Sequence, residues 1–451
     1  MGNSSQLSRR SFLTRTAGAG LALGAGPTLL TACGGSSSSS GPLTFWNFYA
    51  PAKVAGGSVP ASQSKWFDDL IATWNKSHKP QIKLQYIADY LNGSKLQTAF
   101  AAGKGPDIFL ISPGDFLRYY NGGVLEDLTP HVTKEAQQDF FPNVMKTRTV
   151  DGKIHALPME VEPMAFFYSV KAFEGAGLSE ADVPKTWDDL LNVAHKLRTK
   201  KRFGVTFETT PGYYQDFTWY PFMWEGGADV VGPDGKTSAF DAKGTVDALR
   251  LWQESIKSGV APRKFLGTGG NDILANLATG YTAIQNCGIW SISALKSKPR
   301  FEYGMFKLPT PPGGRYTTVL GGWAFVANAK GKDPEAAAKF CAWALGSMSD
   351  DSVRRVADWC VKAKSDIAPR KSSTDLATKE GGYSSAPMKF FKDEVFPAGR
   401  GEPRYPPQVV KAVQQAIQSC QLSGADPAAQ ARQAGESIDS YLKSYKGASL
   451  A

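Results

Sequence analysis

Leu43-Thr44-Phe45-Trp46-Asn47-Phe48 reads as a β-strand, and the residues after it set the fold class. Trp66, Phe67, Leu70, Ile71 and Trp74 recur at helical spacing, and Ile82, Leu84 and Tyr86 then alternate as a strand does. A strand, helix, strand unit at the head of a chain is the signature of an α/β protein. Lys95 to Ala102 forms a further short helix that Gly103 can end, followed by Gly105-Pro106-Asp107 and the apolar strand Ile108 to Ile111. Downstream, Thr186-Trp187-Asp188-Asp189 has capping-box spacing and opens a helix with Trp187, Leu190, Leu191, Ala194 and Leu197 on its apolar face. Asp333-Pro334-Glu335 opens another, carrying Ala337, Phe340, Cys341 and Ala344, with proline in its first turn. No repeat of solenoid length is present.

Upstream of Leu43 the residues describe an address. Arg9 and Arg10 precede a Gly/Ala-rich apolar stretch from about Ala17 to Leu30, the layout of a twin-arginine export signal. That stretch is too short for the roughly 30 Å hydrocarbon core, and its glycines and Pro27 weaken any helix. Leu30-Thr31-Ala32-Cys33-Gly34 resembles a bacterial lipobox, with Cys33 as the lipidated residue. Residues 1–32 are therefore expected to be removed, and residues 33–42, with the serines from Ser36 to Ser40, to form a flexible tether on the outer face of the cell membrane.

The remaining residues suffice for two lobes, each with its own core, at 42% hydrophobic content. Fifty-one basic and 41 acidic residues give a net charge of +10, which drops to about +7 once Arg9, Arg10 and Arg15 leave with the signal. The excess is thinly spread, so nucleic acid is not an expected partner. Cys287, Cys341, Cys360 and Cys420 permit two disulfides in three connectivities, or four buried thiols.

The four histidines lack the spacing of a helical metal pair, there is no Gly-x-Ser-x-Gly elbow, and Pro233-Asp234-Gly235 reads as a hairpin turn rather than a phosphate loop. No cofactor or metal is called for. Glu160 and Glu162 share one face of a strand and are the one pair that suggests a glycoside-cleaving enzyme, although such chemistry needs carboxyls on both sides of the scissile bond. The chain is rich instead in aromatic residues beside glycines or polar groups, among them Trp46, Tyr49, Tyr213, Tyr214, Trp224, Trp290 and Trp323. Flat aromatic faces suit the CH-rich side of a sugar, and carboxylates and amides accept its hydroxyl hydrogens.

Several segments resemble the extracellular solute-binding proteins of ABC sugar importers, the maltose and multiple-sugar group most of all. They are Gly105-Pro106-Asp107-Ile108, Gly123-Val124-Leu125-Glu126-Asp127-Leu128, Asp151 to Pro158 leading to Val161-Glu162-Pro163, Asn286 to Trp290 and Gly321 to Ala329. The resemblance implies a two-lobed, periplasmic-binding-protein-like (type II) α/β fold. Residues 43–162 and 322–367 would form one lobe and 163–321 with 368–447 the other. Three crossings would fall near Val161 to Ala165, Thr318 to Gly322 and Ile367 to Arg370. It further implies a single chain that hands a sugar to permease subunits. The ligand-facing residues would be Trp46, Asn47, Ser112, Asp115, Glu162, Tyr214, Asp216, Trp224, Trp290, Gly322 and Trp323, with Arg404 at the rim. If disulfides form, pairing within a lobe, such as Cys341 with Cys360, would leave the hinge free. A glycerol phosphate-type polyol is the alternative cargo, with Arg404 as its basic group. Departures from the maltose-binding pattern at Ile111-Ser112-Pro113-Gly114, and an insertion at Ala50 to Ser64, argue against maltose itself.

Overall fold

A computed structural model describes residues 41–55, 57, 59–87, 90 and 95–450, so Arg9, Arg10, Cys33 and the serine tether lie outside the described residues. In chain order the strands are β1 (Leu43–Asn47), β2 (Ile82–Tyr86), β3 (Ile108–Ile111), β4 (Thr149–Val150), β5 (Lys153–Ile154), β6 (Leu157–Pro158), β7 (Glu162–Ser169), β8 (Phe203–Thr206), β9 (Thr282–Gly288), β10 (Tyr303–Phe306), β11 (Thr318–Gly321), β12 (Ala324–Ala327) and β13 (Gly399–Gly401). Two larger sheets organise all but β4 and β5, which pair with each other. The first runs β2-β1-β3-β12-β6, and the second runs β13-β11-β7-β9-β8 with β10 also on β7.

In the first lobe β1 pairs in parallel with both β2 and β3, as the strand, helix, strand reading requires. Its crossover helix, Ala61–Ser77, buries Phe67, Leu70, Ile71 and Trp74, the face expected from their spacing. Phe45 then meets Phe325 with ring centroids 4.9 Å apart and Phe67 and Phe340 at 5.9 Å, all edge to face. Truncating a fully buried ring such as Phe67 to alanine would cost about 3–5 kcal/mol.

The second lobe is built on β7, all eight of whose residues are buried. The helix Tyr213–Glu225 beside it is buried along its whole length from Gln215 onward, which is why it is aromatic and apolar on every side. The helix Trp187–Leu197 starts at the expected capping box, in which Thr186 and Asp189 each accept from the other's backbone N–H. Asp333 caps the helix Pro334–Cys341 in the same region of sequence predicted for it, and the segment around Gly235 is a hairpin tip bridged by Val231 and Ser238.

The connecting segments pass side by side between the sheets. Gly321 in β11 stands opposite Glu162 at the start of β7, and Val161 bridges Ile367. A small core of Val161, Ala165, Phe167, Cys287, Leu320 and Ile367 seals this region. Gly322 sits here at φ +111, where a Cβ would lie 2.3 Å from the Glu160 carbonyl oxygen, so the crossing admits only glycine.

All four described cysteines are buried free thiols, and the pairing of Cys341 with Cys360 does not occur. Both lie in the first lobe's core, where a cysteine packs as a small apolar side chain. Burial pushes the Cys420 thiol up to about 12.

Candidate functional site

Two groups of acidic side chains lie between the lobes. The first surrounds Lys364 at the crossings. Its ammonium donates to Glu160 Oε2 at 3.0 Å and to Glu162 Oε1, and lies 3.1 Å from Asp366 Oδ2. Tyr49 donates to Glu160 Oε1 at 3.1 Å, the Trp323 backbone N–H reaches the same oxygen at 3.3 Å, and Trp359 Nε1 donates to Oε2 at 2.6 Å. Every one of these groups is buried. Glu160, Glu162 and Asp366 lie close enough to hold a metal ion, but the Lys364 ammonium is already the cation among them. Burial opposes the charge on Lys364, yet Asp366, Glu160 and Glu162 together raise its pKa well above the ordinary lysine value. Burial also lifts Glu162 to about 7, with Lys364 pulling it down and Glu160 pushing it up, and raises Asp366 further. Glu162 and Asp366 thus retain protons at pH values where an exposed carboxyl has none.

The second group faces the gap itself. Two cavities of about 30 and 70 Å³ share Asp115 and Tyr213. They have room for a few waters and not for a sugar ring, so the lobes are drawn together. From the second lobe Tyr213 places its ring 6.1 Å from Trp323 of the first and donates to Glu402 Oε2 at 3.1 Å. Glu402 Oε1 would be 2.4 Å from a Cβ at position 114, so Gly114 permits the close approach of the lobes. Asp216 accepts from Gln414 Nε2 at 2.6 Å through Oδ2, while its Oδ1, fully buried, has no hydrogen-bond partner. Burial raises both Asp216 and Glu402 well above the carboxylate range, opposed by Gln414 in one case and by Tyr213 and Arg148 in the other. Asp115 is raised by burial too, against the pull of Arg118 at 3.4 Å.

A family model for bacterial extracellular solute-binding proteins matches residues 57–349. The chain belongs to this family. Among relatives, the maltodextrin-binding protein MdxE of Bacillus subtilis is 25% identical over 308 residues, 66% of this chain and 70% of that one. An ABC transporter solute-binding protein from Thermotoga lettingae bound with α-D-tagatose superposes with a TM-score of 0.74 at 23% identity, covering 89% of this chain and all of that one. UgpB from Mycobacterium tuberculosis, in complex with glycerophosphocholine, gives 0.72 at 19% identity over 90% of this chain and 99% of that one. At these identities the two structures establish a shared two-lobed α/β fold.

Within this solute-binding fold the expected ligand residues separate into groups. Asp115 lines both cavities, Trp323 the smaller and Asp216 the larger, while Ser112 lines neither and sets its hydroxyl beside Tyr213. Tyr214 and Trp290 form a neighbouring aromatic wall, their rings 6.3 Å apart, and Tyr214 donates to the Cys287 thiol at 3.5 Å. Glu162 is turned into the Lys364 cluster. Asn47 ends β1 by accepting the Tyr49 N–H at 2.9 Å. Trp46 donates from its indole to Gln85 on the adjacent strand and lies under Lys95, and no described contact joins it to Trp323 or Tyr213. Trp224 stands behind the cavity, stacked on Tyr220 with Arg400 over its ring. Gly322 contributes a carbonyl to the buried Arg148 at 2.8 Å. Arg404 is committed to the Thr149 carbonyl at 2.8 Å and to the face of Phe116, a contact between lobes.

Sequence reading did not single out Lys364, Asp366, Glu402 or Arg148. Each belongs to no local motif and meets its partners from far along the chain, as Lys364 meets Glu160 across 204 positions.

Proposed function

We propose that this solute-binding protein is exported by the twin-arginine route, tethered as a lipoprotein through Cys33, and acts as a single chain that captures an oligosaccharide between its lobes and delivers it to an ABC permease. The observation that carries the sugar reading is the aromatic pair Trp323 and Tyr213, one from each lobe with ring centroids 6.1 Å apart, with Asp115, Asp216 and Glu402 lining the cavity on the Tyr213 side. Rings of this kind take the CH face of a pyranose, and carboxylates accept its hydroxyls once water is displaced. The relatives named for maltodextrin and multiple sugars support the same cargo class.

The ligand enters when the lobes part and is enclosed as they return. Affinity then comes from replacing the present lobe-to-lobe contacts, such as Tyr213 against Trp323, with contacts through the ligand. A glycerol phosphate-type cargo is disfavoured by the acidic lining and by Arg404, whose guanidinium is engaged elsewhere. A glycoside-cleaving role is disfavoured because Glu160 and Glu162 both bind one ammonium instead of flanking an open space.

Calorimetry across a panel of neutral and substituted oligosaccharides tests the cargo. A saccharide that binds in the micromolar range or tighter supports the reading, and heat only from a phosphorylated polyol or a peptide overturns it. Radiolabelled lipid should be incorporated at Cys33 and lost in Cys33→Ala; retention of the label in that variant refutes the anchor. Turnover of an oligosaccharide that Glu162→Gln abolishes while binding persists would replace the transport reading with an enzymatic one.

A further inference from the structure

The larger cavity between the lobes is acidic in a chain whose net charge is +10. Asp115, Asp216 and Glu402 line it against the single guanidinium of Arg118, which is held by Asp115. Glu402 has partners of its own, accepting from Tyr213. Asp216 does not complete its set: it is 4% exposed, one oxygen is taken by Gln414, and Oδ1 is a buried acceptor with no donor. A buried carboxylate oxygen without a donor is costly, on the order of 1–3 kcal/mol or more, and a ligand that supplies a charged donor recovers that cost and adds a charge-assisted hydrogen bond. Tyr220 and Tyr405 line the same cavity, and aromatic rings attract a cation. At the crossings the parallel problem is solved from within, by Lys364. In this cavity no lysine plays that part among the described residues.

We infer that the preferred cargo is an amino sugar, an oligosaccharide carrying a protonated amine, with the ammonium seated between Asp216 and Glu402 and the ring on the Trp323 and Tyr213 side. A neutral hydroxyl could donate one hydrogen to Asp216. An ammonium donates up to three and, as the opposite charge, favours the ionised form of carboxyls that burial otherwise holds protonated, which a neutral sugar does not do. This inference rests on the sugar reading and narrows it.

The test is a calorimetric series on the wild-type protein with four probes: the β-1,4-linked glucosamine trimer, its fully N-acetylated form, maltotriose and spermidine. N-acetylation removes the charge and keeps the ring, so no variant is needed for the primary comparison. The expected result is that the glucosamine trimer binds at least tenfold more tightly than either neutral trisaccharide. Asp216→Asn, which keeps the shape of the side chain, should cut that preference to threefold or less. Equal or tighter binding of a neutral trisaccharide overturns the amine preference and leaves the sugar reading standing. Binding of spermidine with none of the three saccharides overturns both, and the absence of binding by all four overturns the amine preference. A preference unchanged in folded Asp216→Asn protein overturns the seat assigned to the ammonium.

Discussion

The crossings and the cavity are both built around three carboxylates, and they handle the same charge differently. At the crossings Glu160, Glu162 and Asp366 converge on Lys364, with Tyr49, Trp359 and the Trp323 N–H completing the set. At the cavity Asp115, Asp216 and Glu402 have one arginine at the edge, and both Asp216 Oδ1 and Arg118 Nε are left without a hydrogen-bond partner. Buried charge paired by the chain itself holds two lobes in a defined relation, whereas buried charge left short of donors favours whatever enters from outside. Glu162 therefore sits with the crossings, and Asp216 is the residue proposed to meet the ligand.

Breaking the hinge side should have the largest effect. Lys364→Met removes the cation from among three buried carboxylates and should lower unfolding free energy at pH 7 by about 3–5 kcal/mol in urea titrations. Because the stranded carboxylates can take up protons, part of that loss should return as the pH is lowered toward 5. Full stability of Lys364→Met at pH 7 would mean that the cluster carries no net charge there.

The wild-type protein should show the same chemistry more gently. The folded state keeps protons on Glu162 up to about pH 7, while the unfolded chain has released them near the ordinary value of 4.5. The stability contributed by this group is therefore fully present below 4.5 and is lost as the pH rises through 7. The slope reaches at most about 1.4 kcal/mol per pH unit for one proton. The raised carboxyls of Asp366, Asp216 and Glu402 act in the same direction. Urea titrations between pH 5 and 8 measure the slope, and Glu162→Gln should flatten it.

On the cavity side, Tyr213→Ala removes one ring of the pair with Trp323 and should weaken saccharide binding by about tenfold to a hundredfold, in line with about 1–3 kcal/mol for an aromatic contact and its hydrogen bond. The smallest effect is expected from Gly114→Ala, whose added methyl must push Glu402 aside. It should hold the lobes slightly apart, reduce affinity a few-fold, and increase the radius of gyration measured by small-angle scattering without ligand.

The comparison also separates what the residues announce from what they conceal. The β1, Ala61–Ser77, β2 unit and the Thr186 capping box are local patterns, set by side-chain period or by a single cap, and they are found where the sequence puts them. Asp115, Asp216 and Trp323 were legible only by resemblance, and the structure puts them on the two cavities, Asp115 on both. Lys364 and Glu402 were illegible because a lone lysine or glutamate carries no sign of burial until distant strands converge on it. Trp46 and Arg404 show the converse. Each has the right chemistry for a ligand, but Gln85 and Lys95 engage the first, and Thr149 and Phe116 the second.

The most direct test of the central claim is a crystal structure of the protein grown with the oligosaccharide that binds most tightly in calorimetry. The account predicts a pyranose ring between Trp323 and Tyr213, with Asp216 within hydrogen-bond distance of the ligand and Lys364 still bound to Glu160, Glu162 and Asp366. A saccharide bound outside the gap between the lobes, or one that displaces Lys364 from its carboxylates while leaving Asp216 untouched, would contradict it.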